Sequence, residues 1–130
     1  MKQRRTVAVL SDISGSDISL SGFTLEQTYD HLFQVRAEKN ADNFSLNNYI
    51  LRDTYEQLLK VSASQSDELF SDHGIVNNSV FIEGNYPNAI EYRFAATKNL
   101  LIKNNVTNKS IVSRDDGQAE LSGNRLSDDF

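Results

Sequence analysis

The sequence predicts a small single α+β domain, with a central antiparallel helical hairpin flanked by antiparallel β-hairpins. Three observations predict it. Two stretches, 24–40 and 45–59, space their apolar residues as amphipathic helices do. The segments on either side instead alternate apolar and polar residues with the period of two that marks half-buried strands. The length of 130 residues, with 38% hydrophobic and 24% charged residues, suits one core rather than two.

At the N-terminal end, Thr6 to Leu10 form a β-branched apolar run, and Ile18 and Leu20 alternate with serines; the pair reads as a hairpin around a polar loop. The first helix begins at Thr24 as N-cap, with Gln27 completing a capping box. Leu25, Tyr29, Leu32, Phe33 and Arg36 fall on one face, and the helix ends near Asn40. The second begins at Ser45, where Phe44 and Tyr49 occupy the two positions of a hydrophobic staple. Its face runs through Leu51, Tyr55, Leu58 and Leu59, with Leu46 and Ile50 beside it. The short link from Ala41 to Phe44 makes the helices antiparallel neighbours.

From Ser62 to Gly74 the chain is polar, with Leu69 and Phe70 as its large apolar residues. Val80 and Ile82, then Ile90, Tyr92 and Phe94, alternate with polar or exposed partners across "GNYPN", which contains Pro87, the single proline, and reads as a β-hairpin turn. The competing reading is a helix from Asn88 to about Lys103, with Glu91 closing a capping box. Leu100 to Ile102 and Ser110 to Val112 add edge strands. The domain therefore spans 1–112, and 113–130 has the composition of a polar acidic C-terminal tail. No internal repeat stands out.

The net charge of −5 opposes nucleic-acid binding, since Lys2, Arg4 and Arg5 are the one basic cluster. The absence of cysteine excludes a disulfide framework and thiolate metal sites. No apolar run reaches the roughly 18 residues of a membrane span, and no signal-like apolar core opens the chain. The expectation is a soluble protein, cytoplasmic where it is made, and possible in a virion.

Asp12, Ser14 and Ser16 spell D-x-S-x-S directly after an apolar run, and this resembles the metal-ion-dependent adhesion motif of von Willebrand factor A domains. The resemblance implies a carboxylate and two hydroxyls offered to Mg²⁺ or Mn²⁺. It covers about ten residues. The helix that should follow at once is delayed to Thr24, and no motif marks the later Thr and Asp metal loops, for which Thr97 or Asp115 would have to serve. The same residues also compose a tight turn around Gly15, so a plain hairpin connection competes with the metal loop.

His31 and His73, the two histidines, each follow an aspartate, Asp30 and Asp72. On a helix Asp30 and His31 would point roughly 100° apart, which leaves His31 a boundary residue. His73 reads as a loop residue before Gly74. No nucleophile elbow or phosphate-binding glycine loop occurs, and the Asp115–Asp116 and Asp128–Asp129 pairs lie in the polar tail. Tyr86, at a turn tip, and Phe130, at the C-terminus, are exposed aromatics suited to a protein contact.

The function expected is thus a non-catalytic interaction or assembly protein, homo-oligomeric, of the kind found among small virion or phage assembly components, with no cofactor. An acidic inhibitor or immunity-type protein bound to a basic partner is the first alternative. A divalent-metal-dependent binding module built on Asp12, Ser14 and Ser16 is the second.

Overall fold

The computed structural model describes residues 9–28, 30–62, 71–93 and 97–127. Among them there is no α-helix; the single helical element is a 3₁₀ turn at Ala37–Lys39. The chain winds into a parallel β-solenoid. Each pass, or coil, lays one strand into each of three sheets, and each sheet collects five strands.

The first sheet stacks β1 (Val9–Ile13), β4 (His31–Arg36), β7 (Leu59–Ser62), β10 (Asn88–Arg93) and β13 (Ser110–Arg114). The second stacks β2 (Ser19–Ser21), β5 (Phe44–Asn47), β8 (Ser71–Asn77), β11 (Thr97–Lys103) and β14 (Glu120–Ser122). The third stacks β3 (Thr24–Thr28), β6 (Ile50–Thr54), β9 (Val80–Gly84), β12 (Val106–Thr107) and β15 (Arg125–Leu126). Every pairing is parallel.

Register in a parallel sheet sets like positions above one another, and so builds columns of side chains. In the second sheet Leu20, Leu46, Val76, Ile102 and Leu121 form one column. In the third, Leu25, Leu51, Phe81, Thr107 and Leu126 form another. The middle members, Leu46, Val76, Ile102, Leu51 and Phe81, are wholly buried. Phe33, Leu59 and Ile90 fill the same role from the first sheet. The core is thus a triangular shaft filled layer by layer.

The corners depend on backbone that most residues resist. Between the first and second sheets Asp17 and Asn43 adopt positive φ, as do His73 and Asn99 early in the second-sheet strands β8 and β11; between the second and third, Gly22, Asn48, Asn78, Asn104 and Gly123 do; within the third-sheet strands, Gln27, Asp53 and Glu83 do. Gly accepts this region freely, and Asn and Asp accept it more readily than other side chains. The residue after the second corner points into the shaft. There the rings of Phe23 and Tyr49 stack with centroids 5.1 Å apart and planes 4° from parallel.

The same column continues in polar form. Tyr49 N–H donates to Ser79 Oγ (3.3 Å), Ser79 N–H to Asn105 Oδ1 (3.0 Å) and Asn105 N–H to Asn124 Oδ1 (3.1 Å). Asn105 Nδ2 also donates to the Val76 carbonyl (3.1 Å). One side-chain hydroxyl and two side-chain amides thereby carry the coil-to-coil ladder around a bend, where strand pairing alone would leave buried backbone groups unpaired.

This architecture overturns the α+β reading. The 24–40 stretch is β3, β4 and the 3₁₀ turn, and Gln27 at φ 67° is incompatible with a helix. Its apparent helical face arose because Leu25 and Phe33 look into one shaft from two different sheets. The 45–59 stretch is β5, β6 and the start of β7, broken at Asn48 and Asp53. Ser45 is a strand residue rather than a cap, and Tyr49 stacks on Phe23 rather than stapling Phe44.

The flanking antiparallel hairpins are likewise absent. β1 and β2 belong to different sheets, as do β9 and β10, so the segments between them are corners of a coil. The competing helix over 88–103 is β10 and β11, and the proposed edge strands at 100–102 and 110–112 fall within β11 and β13, again in separate sheets. Thr6 and Phe94 lie outside the described residues. Residues 113–127, read as tail, complete β13 and contribute β14 and β15, and their side chains are largely exposed.

Three substitutions test this frame. Asn105→Ala removes the acceptor of the Ser79 N–H inside the shaft and is expected to cost about 3 kcal/mol in urea unfolding, whereas Asn47→Ala, on the outer ladder, should cost less than about 1 kcal/mol. Gly74 lies under the buried Phe44 ring, whose carbons would stand 2.3 and 2.4 Å from an added Cβ. Gly74→Ala should therefore lower the melting temperature even though alanine is the smallest change available.

Candidate functional site

In-register stacking places Asp30 and Glu56 one above the other. Each lies two residues beyond a paired threonine, Thr28 or Thr54, at the corner where the chain passes from the third sheet back to the first. Thr54 Oγ1 donates to the Asp30 carbonyl (2.6 Å) and lies 2.8 Å from Thr28 Oγ1, while Glu56 N–H donates to the same carbonyl (3.2 Å). The two carboxyl groups are consequently held together on adjacent coils. His31, the first residue of β4, turns its imidazole between them.

The imidazole Nε2 is 3.3 Å from Asp30 Oδ1, and Nδ1 is 3.9 Å from Glu56 Oε2. The histidine side chain is 6% exposed, against 33% for Asp30 and 47% for Glu56, so a fixed ring faces two carboxylates that can still turn toward solvent. Nδ1 is buried without a hydrogen-bond partner. One ligand atom from each residue lies within 4.8 Å of the others.

The electrostatics follow from this packing. Burial pushes the His31 imidazole below its ordinary value, against the opposing pull of Asp30. The hydrogen bond to Asp30, then burial, then Asp30's charge raise Glu56 above the usual carboxylate range. Like charges brought together by register favour a shared proton or a shared cation.

Beside the cluster lies a fully buried carboxylate, Glu91 of β10. Gln57 Nε2 donates to its Oε2 (2.6 Å), as does Asn88 Nδ2 (3.1 Å), and Arg114 Nη1 reaches Oε1 (3.3 Å). The charge is compensated from three sides, as burial requires.

The residues singled out in the sequence have separate fates. Asp12 Oδ2 accepts from Arg36 Nε (2.8 Å) and Oδ1 from Ser14 Oγ (3.0 Å), while Ser16 Oγ donates away to the Asn40 carbonyl (2.7 Å). Asp12 and Ser14 are thus together and Ser16 is turned elsewhere. Asp115 is engaged by Arg93 (2.7 and 3.0 Å), and Thr97 opens β11. Tyr86 is half-buried between β9 and β10, and Phe130 lies outside the described residues.

His73 is an exposed residue of β8, 3.1 Å from Asp72, beside an open cleft of about 900 Å³ that Asn99, Asp116 and Glu120 also line. Asp30 and His31, separated on the expected helix, are brought into contact by the corner. Glu56 had gone unremarked in the sequence. Its signal was its position 26 residues after Asp30, the separation that also relates Asn43 to Asp17 and Asn105 to Ser79.

The Asp12–Arg36 pair allows a signed test. Arg36 holds the Asp12 carboxyl below its ordinary value, so its contribution is present above the unfolded-state pKa and is lost as pH falls through the depressed folded value. Asp12→Asn is expected to cost no more than about 1 kcal/mol at neutral pH. That difference should shrink toward zero in unfolding curves taken below about pH 4. Searches of protein-family models, curated proteins and solved structures returned no match to this chain.

Proposed function

We propose that the chain is a non-catalytic assembly module that associates with further copies of itself by stacking coil on coil. The observation that carries this is the exposure of Leu121 (46%) and Leu126 (63%). Both are fifth members of columns whose inner members are completely buried, and both are exposed because nothing among the described residues stacks beyond them. They lie on strands whose outer edges, with that of β13, pair with no described strand.

A second copy is the occupant that fits. Its first coil offers β1, β2 and β3 with the same parallel sense and the same triangular section. Leu20 and Leu25 are the first members of the same two columns. Stacked head to tail, Leu121 meets Leu20 and Leu126 meets Leu25, so the shaft continues and backbone edges pair. Such a contact is heterologous, and it propagates unless the strand edges at one end are covered.

Sedimentation of the full chain over a concentration series tests the reading. The expected result is concentration-dependent self-association that is lost in the double variant Leu121→Lys, Leu126→Lys and equally in Leu20→Lys, Leu25→Lys, with folding checked by circular dichroism. A chain that stays monomeric throughout, or folded variants that associate unchanged, would overturn it.

A further inference from the structure

Independently of coil stacking, we propose that Asp30, His31 and Glu56 form a binding site for a divalent transition cation of the Zn²⁺ class. Two separate observations converge on it. The first is the donor set: an imidazole and two carboxylates from adjacent coils, with one ligand atom of each within 4.8 Å of the others. The second is the unpartnered Nδ1 of a histidine that is 94% buried, facing Glu56 at 3.9 Å. A buried imidazole nitrogen with no hydrogen bond costs free energy unless something occupies its lone pair or takes its proton.

The chemistry selects the ion. One nitrogen and two oxygens suit Zn²⁺, Co²⁺ or Ni²⁺, whereas Mg²⁺ and Ca²⁺ favour oxygen-only shells with more ligands. Ligands around a zinc ion stand about 3.3 Å apart, given bonds of about 2.0 to 2.2 Å, so the carboxylates must draw in from spacings of up to 4.8 Å, Asp30 turning from Nε2 toward Nδ1, to close the site. Those are the members with freedom to move, since Asp30 and Glu56 are part exposed while the ring is packed. A cation would also relieve the adjacency of Asp30 and Glu56 that strand register imposes, and solvent can complete its coordination on the exposed side.

The site differs from the serine-rich loop at Asp12, whose carboxylate is already engaged by Arg36. It also differs from the exposed Asp72–His73 pair, which supplies one carboxylate and an imidazole on the open surface.

Calorimetric titration of the full chain with ZnCl₂, paired with thermal melts in Zn²⁺ and in Mg²⁺, tests the proposal. The expected result is saturable binding at one ion per chain, with a melting temperature raised by Zn²⁺ and not by Mg²⁺. Glu56→Gln and Asp30→Asn, both part-exposed changes that keep the fold, should each weaken Zn²⁺ at least about tenfold. His73→Gln should leave affinity unchanged. Absence of saturable binding, retention of full affinity in both carboxamide variants, or loss of binding in His73→Gln would overturn it.

Discussion

Left-handed corners, repeated at matching places in successive coils, are the constraint on which the rest of this structure depends. A parallel sheet requires each strand to return on the same side of its predecessor, and here the return is a coil with three bends instead of a helix. On entry to the second sheet and again on leaving it, a residue with positive φ recurs at the same place in successive coils, and that recurrence keeps the register and the columns aligned. Gly22, Asn48, Asn78, Asn104 and Gly123 fill that place at the exit bend. The side-chain ladder through Ser79, Asn105 and Asn124 then satisfies the buried backbone just inside it.

Register explains the core and the polar clusters alike. Columns of Leu, Val, Ile and Phe fill the shaft because like positions coincide, and the same coincidence stacks Asp30 on Glu56 where carboxylates would otherwise avoid each other. On the outer face it also pairs Glu26 with Arg52 (3.0 Å), while Glu83, one residue past Arg52's in-register neighbour Ile82, stands 3.9 Å away, so opposite charges gather on the solvated face. The solenoid is therefore an amplifier of position: whatever side-chain chemistry recurs at a coil position is concentrated along one line. Exposure of apolar members at the last coil and adjacency of acids in the middle are two results of the same geometry.

Parts of this were legible without coordinates. Alternating runs at 80–82 and 90–92, and the short apolar runs at 100–102 and 110–112, read as strands and are strands. The runs at 24–40 and 45–59 were not legible as such, because two strands of three to six residues separated by a bend place apolar residues three and four apart, as a helical face does. The recurrence that should have resolved the ambiguity was hidden in weak symbols. The residues with positive φ on entering and leaving the second sheet vary among Gly, Asn, Asp and His, and the separation changes from 30 to 26 to 19 residues along one column. Of the candidate site, the Asp30–His31 dipeptide was visible, but a helix would have splayed it and nothing local linked it to Glu56.

The sequence by itself determined that the chain has enough apolar residues for one core and that it holds no cysteine thiolate. It also supplied the Asn, Asp and Gly residues that make frequent left-handed bends affordable. Only the tertiary structure decided which residues meet, because strand pairing between coils is non-local: the partner of Thr28 is Thr54 and that of Leu46 is Val76, and no local propensity encodes either. Hydrophobic patterning states that a residue must be buried, and in this protein the register of parallel strands states against what.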